Sequence, residues 1–168
     1  MSDVNENRVK AIVQKVLYLT IATVSAEGEP WNSPVYSAYD NDANFYWTSS
    51  PQAEHSRNIE HNGKVFLTIY DSSVPEGTGQ GVYVQAIAAP LVHPAQIEEA
   101  KLSMARRVNK QLGPHTDHLL KTGIQRIYCA TPRRVWVNGF ELDERSRRYL
   151  RDIRVEVPVA CLKGLVTW

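Results

Sequence analysis

Phe45-Tyr46-Trp47-Thr48-Ser49-Ser50-Pro51-Gln52-Ala53-Glu54-His55-Ser56-Arg57-Asn58-Ile59-Glu60-His61-Asn62-Gly63-Lys64-Val65 opens as an aromatic, β-strand-forming run and passes through hydroxyl side chains into a short polar helix. Ser50 is the expected N-cap, Pro51 the first helical residue, and Asn62-Gly63 the stop. A strand that runs into a helix start presents unpaired backbone N–H groups. Thr48, Ser49 and Ser50 add hydroxyls at that place, and His55, Ser56 and Arg57 follow about one turn later. The residues alone leave two readings open, an anion site and a plain capped surface helix.

Upstream, Val9, Ile12, Val13, Val16 and Leu17 fall on one face of a helix over residues 3–17, with Asp3 and Glu6 at capping-box spacing. Leu19–Val24 alternates as a strand, and Ala26-Glu27-Gly28-Glu29 turns it into Trp31–Tyr39. Pro34 removes a ladder donor from that second strand, which is therefore expected at an edge or bulged. Downstream, Val65–Tyr70 reads as a strand buried on both faces. Asp71–Gly81 is a long Gly, Ser and Pro loop, either functional or a simple connection. A strand over Gly81–Pro90 follows, then a helix from Pro94 carrying Ile97, Ala100, Met104 and Val108 up to Gly113-Pro114, and another helical turn at 116–121. Ile124–Asn138 reads as strand kinked at Pro132, and Ile153–Leu162 as a last strand. Strands dominate without regular βαβ alternation, so the fold class is mainly β with peripheral helices, an antiparallel barrel in a single domain over residues 1–168.

At 168 residues, 43% hydrophobic and 22% charged, the chain can bury a core without metal or disulfide support. A net charge of +1 argues against a nucleic-acid surface, and the acidic residues Glu141, Asp143 and Glu144 interleave with the basic runs Arg133-Arg134 and Arg145–Arg148; the sequence does not assign a role to the longer run Arg145–Arg151. Cys129 and Cys161 show no metal-ligand spacing and read as buried thiols. His115 and His118 lack a third ligand, so no metal is expected. The N-terminus carries no signal-like segment and no stretch is apolar enough to span a bilayer, giving a cytoplasmic expectation without membrane partners. Trp31 and Trp47 read as core, while Trp168 docks or frays. No nucleophile sits on a strand-turn-helix elbow, which argues against an acyl-transfer hydrolase.

The order of these pieces resembles the pyridoxamine 5'-phosphate oxidase-like family of flavin-binding split β-barrels. The resemblance runs over residues 8–140: the strand pair Leu19–Val24 and Trp31–Tyr39, the Trp-Thr-Ser and His-Ser-Arg-Asn-Ile patterns at 47–49 and 55–59, the strand Gly81–Ala89, and Ile-Tyr-Cys-Ala-Thr-Pro-Arg-Arg-Val-Trp-Val-Asn at 127–138. It implies an FMN-binding split barrel, a homodimer with flavin at the subunit interface, and flavin-dependent oxidoreduction of a small-molecule substrate. A flavin carrier without turnover, or a split barrel holding a deazaflavin or haem, are the alternatives. By position, Ser33, Pro34, Val35 and Tyr36 face the isoalloxazine ring, and Thr48 and Ser49 lie near the ribityl chain and phosphate. His55 and Ser56 close on the phosphate, Gln80 or Gly81 contacts flavin, and Trp136 reaches the ring from the second copy.

The departures are as informative. Glu54 and His55 stand where the oxidases use an arginine and a lysine, which leaves His55, Ser56 and Arg57 to compensate. A phosphate beside His55 favours imidazolium, so cofactor affinity should fall as pH rises. Phe140–Arg151 does not reproduce the arginine-rich segment with which the oxidases receive the vitamin phosphate.

Overall fold

Period-two alternation builds most of this molecule. The computed structural model describes residues 2–107 and 114–165; Val108, Gly113 and Trp168 lie outside the described residues, as does the side chain of His115. In chain order come α1 (Ser2–Lys15), β1 (Tyr18–Val24), β2 (Pro30–Tyr36), β3 (Ala38–Tyr39), β4 (Phe45–Ser49), α2 (Glu54–His61), β5 (Lys64–Tyr70), β6 (Gly81–Pro90), α3 (Pro94–Arg107), α4 (Pro114–Lys121), β7 (Arg126–Leu142) and β8 (Tyr149–Val157). All strand pairs are antiparallel, in the order β2-β1-β5-β6-β7-β4-β3, with β8 added to the far half of β7. Only Ser37 separates β2 from β3, and its N–H reaches the Leu17 carbonyl at 3.0 Å. The two are one bent strand that pairs with β1 before the bend and with β4 after it, and this closes the sheet into a barrel.

The inward residues form the core: Leu19 and Ile21 of β1, Phe45 and Trp47 of β4, Leu67, Val84 and Val135. Helix α1 closes one mouth with Val9 and Val13, and α2 closes the other with Ile59 and a buried Asn58 Nδ2–H bond to Thr23 Oγ1 at 3.1 Å. A second cluster, Ala38, Tyr46, Ala100, Met104 and Ile127, seats α3 on the outside of β3 and β4. The β6–β7 register shifts between Gln85 and Ala86, beside Pro132, where the proline interrupts the ladder. Among the described residues no helix is long and apolar enough to cross a membrane.

Several expectations need correction. Helix α2 begins at Glu54 rather than Pro51: Ala53 N–H bonds the Ser50 carbonyl at 3.0 Å and Gln52 N–H bonds Ser50 Oγ at 3.1 Å, so Pro51 sits in a separate turn before the helix. Strand β5 buries one face only, because it lies in the barrel wall and turns Phe66 and Tyr70 outward. The last strand ends at Val157; Pro158 breaks it and Val159–Leu162 is a 3-10 turn. Trp31 is not core. Its place on the edge strand leaves it 49% exposed, while Trp47 is fully buried and stacked on Tyr128.

Candidate functional site

Where α2 meets the barrel mouth, three of the expected residues converge. His55 stands in the first turn of α2 and is buried. Its Nε2 lies 2.7 Å from Ser49 Oγ, at the end of β4, and its Nδ1 lies 3.0 Å from Ser33 Oγ on β2. Ser33 also accepts a bond from Trp31 Nε1 at 2.9 Å. Burial lowers the His55 pKa below the ordinary imidazole value, so the ring is neutral near pH 7 and shares protons with hydroxyls on both sides. Of the first amides of α2, those of Glu54 and His55 have no intrahelical acceptor, while Ser56 N–H bonds the Ala53 carbonyl at 3.0 Å.

Charge is present but spent locally. Arg57 binds the Glu54 carboxylate and donates to the Gln52 carbonyl at 2.6 Å. Arg126, the first residue of β7, is the register partner of Ser49, so the two side chains leave the same face of the sheet; its guanidinium lies 3.6 Å from the Glu60 carboxylate of α2. Sequence reading missed Arg126, because nothing local announces which strand β7 pairs with.

The other expected residues separate by face. Thr48 pairs with Ile127 and so points to the side opposite Ser49. Ser56 is fully buried with no hydrogen-bond partner for its hydroxyl; the late start of α2 turns it into the protein interior instead of toward an anion. Val35 belongs to the core. Pro34 and Tyr36 lie on the outer face, where Tyr36 meets Tyr18 edge to face at 5.6 Å. Pro34 borders a cleft of about 400 Å³ that Tyr18, Thr20, Tyr70 and Asp71 also line.

Trp136 shares that outer face. The register runs Pro34, Thr20, Thr68, Tyr83, Trp136 as one row across the sheet. Four strand spacings put the two ends about 19 Å apart along the sheet. Trp136 stacks on Phe66 at 6.2 Å, with Arg134 over its ring at 4.7 Å. Gln80 and Gly81 lie at the α1 end of the barrel: Arg8 binds the Gln80 side chain, and Gly81 N–H bonds Asn138 Oδ1 at 2.6 Å. They do not join the His55 cluster. Among the described residues no three His, Cys, Asp or Glu side chains gather around a metal position.

A family model for pyridoxamine 5'-phosphate oxidase matches residues 6–133. The chain belongs to the pyridoxamine 5'-phosphate oxidase family. Among curated proteins none matches the sequence. Solved structures of the same split-barrel fold include a heme binding protein from Mycobacterium smegmatis, at 17% identity and a TM-score of 0.70 over 94% of this chain and 60% of that one. HutZ, the heme storage protein of Vibrio cholerae, matches at 20% identity and 0.67 over 79% of this chain and 93% of its own. An F420 reductase matches at 21% identity and 0.56 over 75% and 94%. This family member thus spans about 60% of the mycobacterial protein.

Proposed function

We propose that this family member binds FMN between two copies of itself and serves as a flavin-dependent oxidoreductase for a small molecule. The observation that carries the reading is the Ser33–His55–Ser49 cluster at the start of α2. It offers hydroxyl, imidazole and amide donors to a terminal oxyanion, which fits a phosphate monoester. Strand β2 pairs with β1 alone, so an extended ligand can pass over its free edge. Its phosphate would then lie by Ser33, and its ring in the cleft beside Pro34 and Tyr18 on the other face.

FMN supplies hydride chemistry at its ring when bound. The protein's part is to hold and cover it: the hydroxyls fix the phosphate, Pro34 and Tyr18 wall the ring, and the Lys15–Asp71 ion pair at 2.8 Å pins the start of the loop at the cleft's rim. Trp136 stands four strands from Pro34 around the barrel wall, so the two leave the outer face in different directions, which supports a contribution of Trp136 from a second copy. Titration of the purified protein with FMN, read by flavin fluorescence and by the visible flavin bands, tests the reading. Saturable binding supports it, and its absence at high micromolar FMN removes it.

Haem is the second reading. A groove of about 450 Å³ on the outer face is lined by Ala22, Val24, Pro30, Phe66 and Ile87, with Lys64 and Arg133 at its border. An apolar slot beside two cations suits a flat macrocycle bearing carboxylates. The solved relatives named for heme favour the same reading. A Soret band on titration with hemin, against none with FMN, selects it.

A further inference from the structure

The two positions where the oxidases carry permanent phosphate cations hold Glu54 and His55 here, and His55 is neutral when unliganded. A phosphate dianion at the Ser33–Ser49 cluster still requires fixed positive charge within contact range. The helix guanidinium, Arg57, is committed to Glu54 and to the Gln52 carbonyl. Arg126 is placed differently. It stands directly across the ladder from Ser49, on the same face, where opposed Cβ atoms lie about 5 Å apart. An arginine side chain spans that gap easily.

Its present partner holds it loosely. The Arg126–Glu60 contact is 3.6 Å, with side chains 50% and 51% exposed, and no hydrogen bond accompanies it. Ion pairs of this kind contribute little and exchange readily. Glu60 also belongs to α2, the helix that carries His55.

Resting on the FMN reading, we propose that Arg126 is the specificity-determining cation of this site: it leaves Glu60 and turns onto the ligand's phosphate, and Glu60 competes for it as an internal stand-in for the anion. The consequence is discrimination by charge. A ligand ending in phosphate recruits Arg126, whereas the same ligand ending in a hydroxyl leaves the Arg126–Glu60 pair intact. Glu60 therefore raises the affinity a phosphate must have before it is retained.

Calorimetric titration with FMN and with riboflavin, which differ only in the phosphate, tests this on wild type, Arg126→Ala and Glu60→Gln. Loss of one charge-assisted contact should weaken FMN about tenfold in Arg126→Ala and leave riboflavin unchanged. Glu60→Gln should tighten FMN several-fold, again without effect on riboflavin, and that gain should vanish in the double variant. A folding defect cannot produce tighter binding, so the Glu60 arm stands independently of the arginine arm. Equal FMN affinity in wild type and Arg126→Ala overturns the proposal, as does a parallel loss of riboflavin. If wild type binds neither ligand, the FMN reading fails first and takes the proposal with it.

Discussion

His55 is held between two hydroxyls in a buried setting, and its protonation links binding to pH. Free, its pKa is lowered from 6.5 by burial; beside a phosphate dianion the imidazolium is favoured and the pKa rises. Binding at neutral pH must therefore take up a proton. FMN affinity should fall between pH 6 and 8, and calorimetry in buffers of different ionisation enthalpy should show the uptake; both effects should be absent in His55→Gln. The unliganded protein carries the opposite dependence. The unfolded chain protonates this histidine first, so its contribution to stability is complete above about pH 6.5 and is lost as pH falls toward the lower folded value. Acid unfolding of His55→Gln should start at lower pH than that of wild type. At this scale Ser49 and His55 were legible because hydroxyls and a histidine follow a strand within one turn. Ser56 was not, since its direction depends on a helix start three residues later than Ser50-Pro51 advertised. Arg126 was not either, because register is a long-range property.

Among the elements, α1 depends on a residue far from it in sequence. Arg107, at the end of α3, donates to the Val13, Gln14 and Val16 carbonyls at 2.9, 2.9 and 2.6 Å and to the Tyr39 hydroxyl at 3.1 Å. These carbonyls belong to the last turn of α1 and the residue after it, where a cation is favoured and partners are otherwise lacking. Arg107→Ala should cost about 2–3 kcal/mol in urea unfolding. Gly63 carries a different constraint: a Cβ there would lie 2.8 Å from the Ala88 carbonyl oxygen, a backbone atom that cannot step aside. Gly63→Ala should destabilise by about 1–3 kcal/mol, measured the same way. The sequence showed the strands well, and Pro34 correctly marked β2 as an edge. It overstated β5, since Phe66 and Tyr70 are hydrophobic yet point outward. It also ran the last strand past Pro158, because Val159, Ala160, Cys161 and Leu162 continue the apolar pattern into a 3-10 turn.

For the whole molecule, the outward-facing aromatic cluster of exposed Phe66 and half-buried Tyr83 and Trp136 is the surface that a second copy would cover under the dimeric reading. Phe66→Arg should convert a dimer to monomers in light scattering and weaken FMN at the same time. The barrel order was legible in outline; its closure through one bent strand at Ser37 was not, because no residue there announces a change of partner. The row that carries Pro34 at one end and Trp136 at the other has a genetic corollary. Each subunit would own two halves of different wholes, so His55→Ala and Trp136→Ala homodimers would both be colourless. Co-expressed, they would shuffle into hybrids in which one pocket inherits both lesions and its sister inherits none, and about a quarter of the yellow would return.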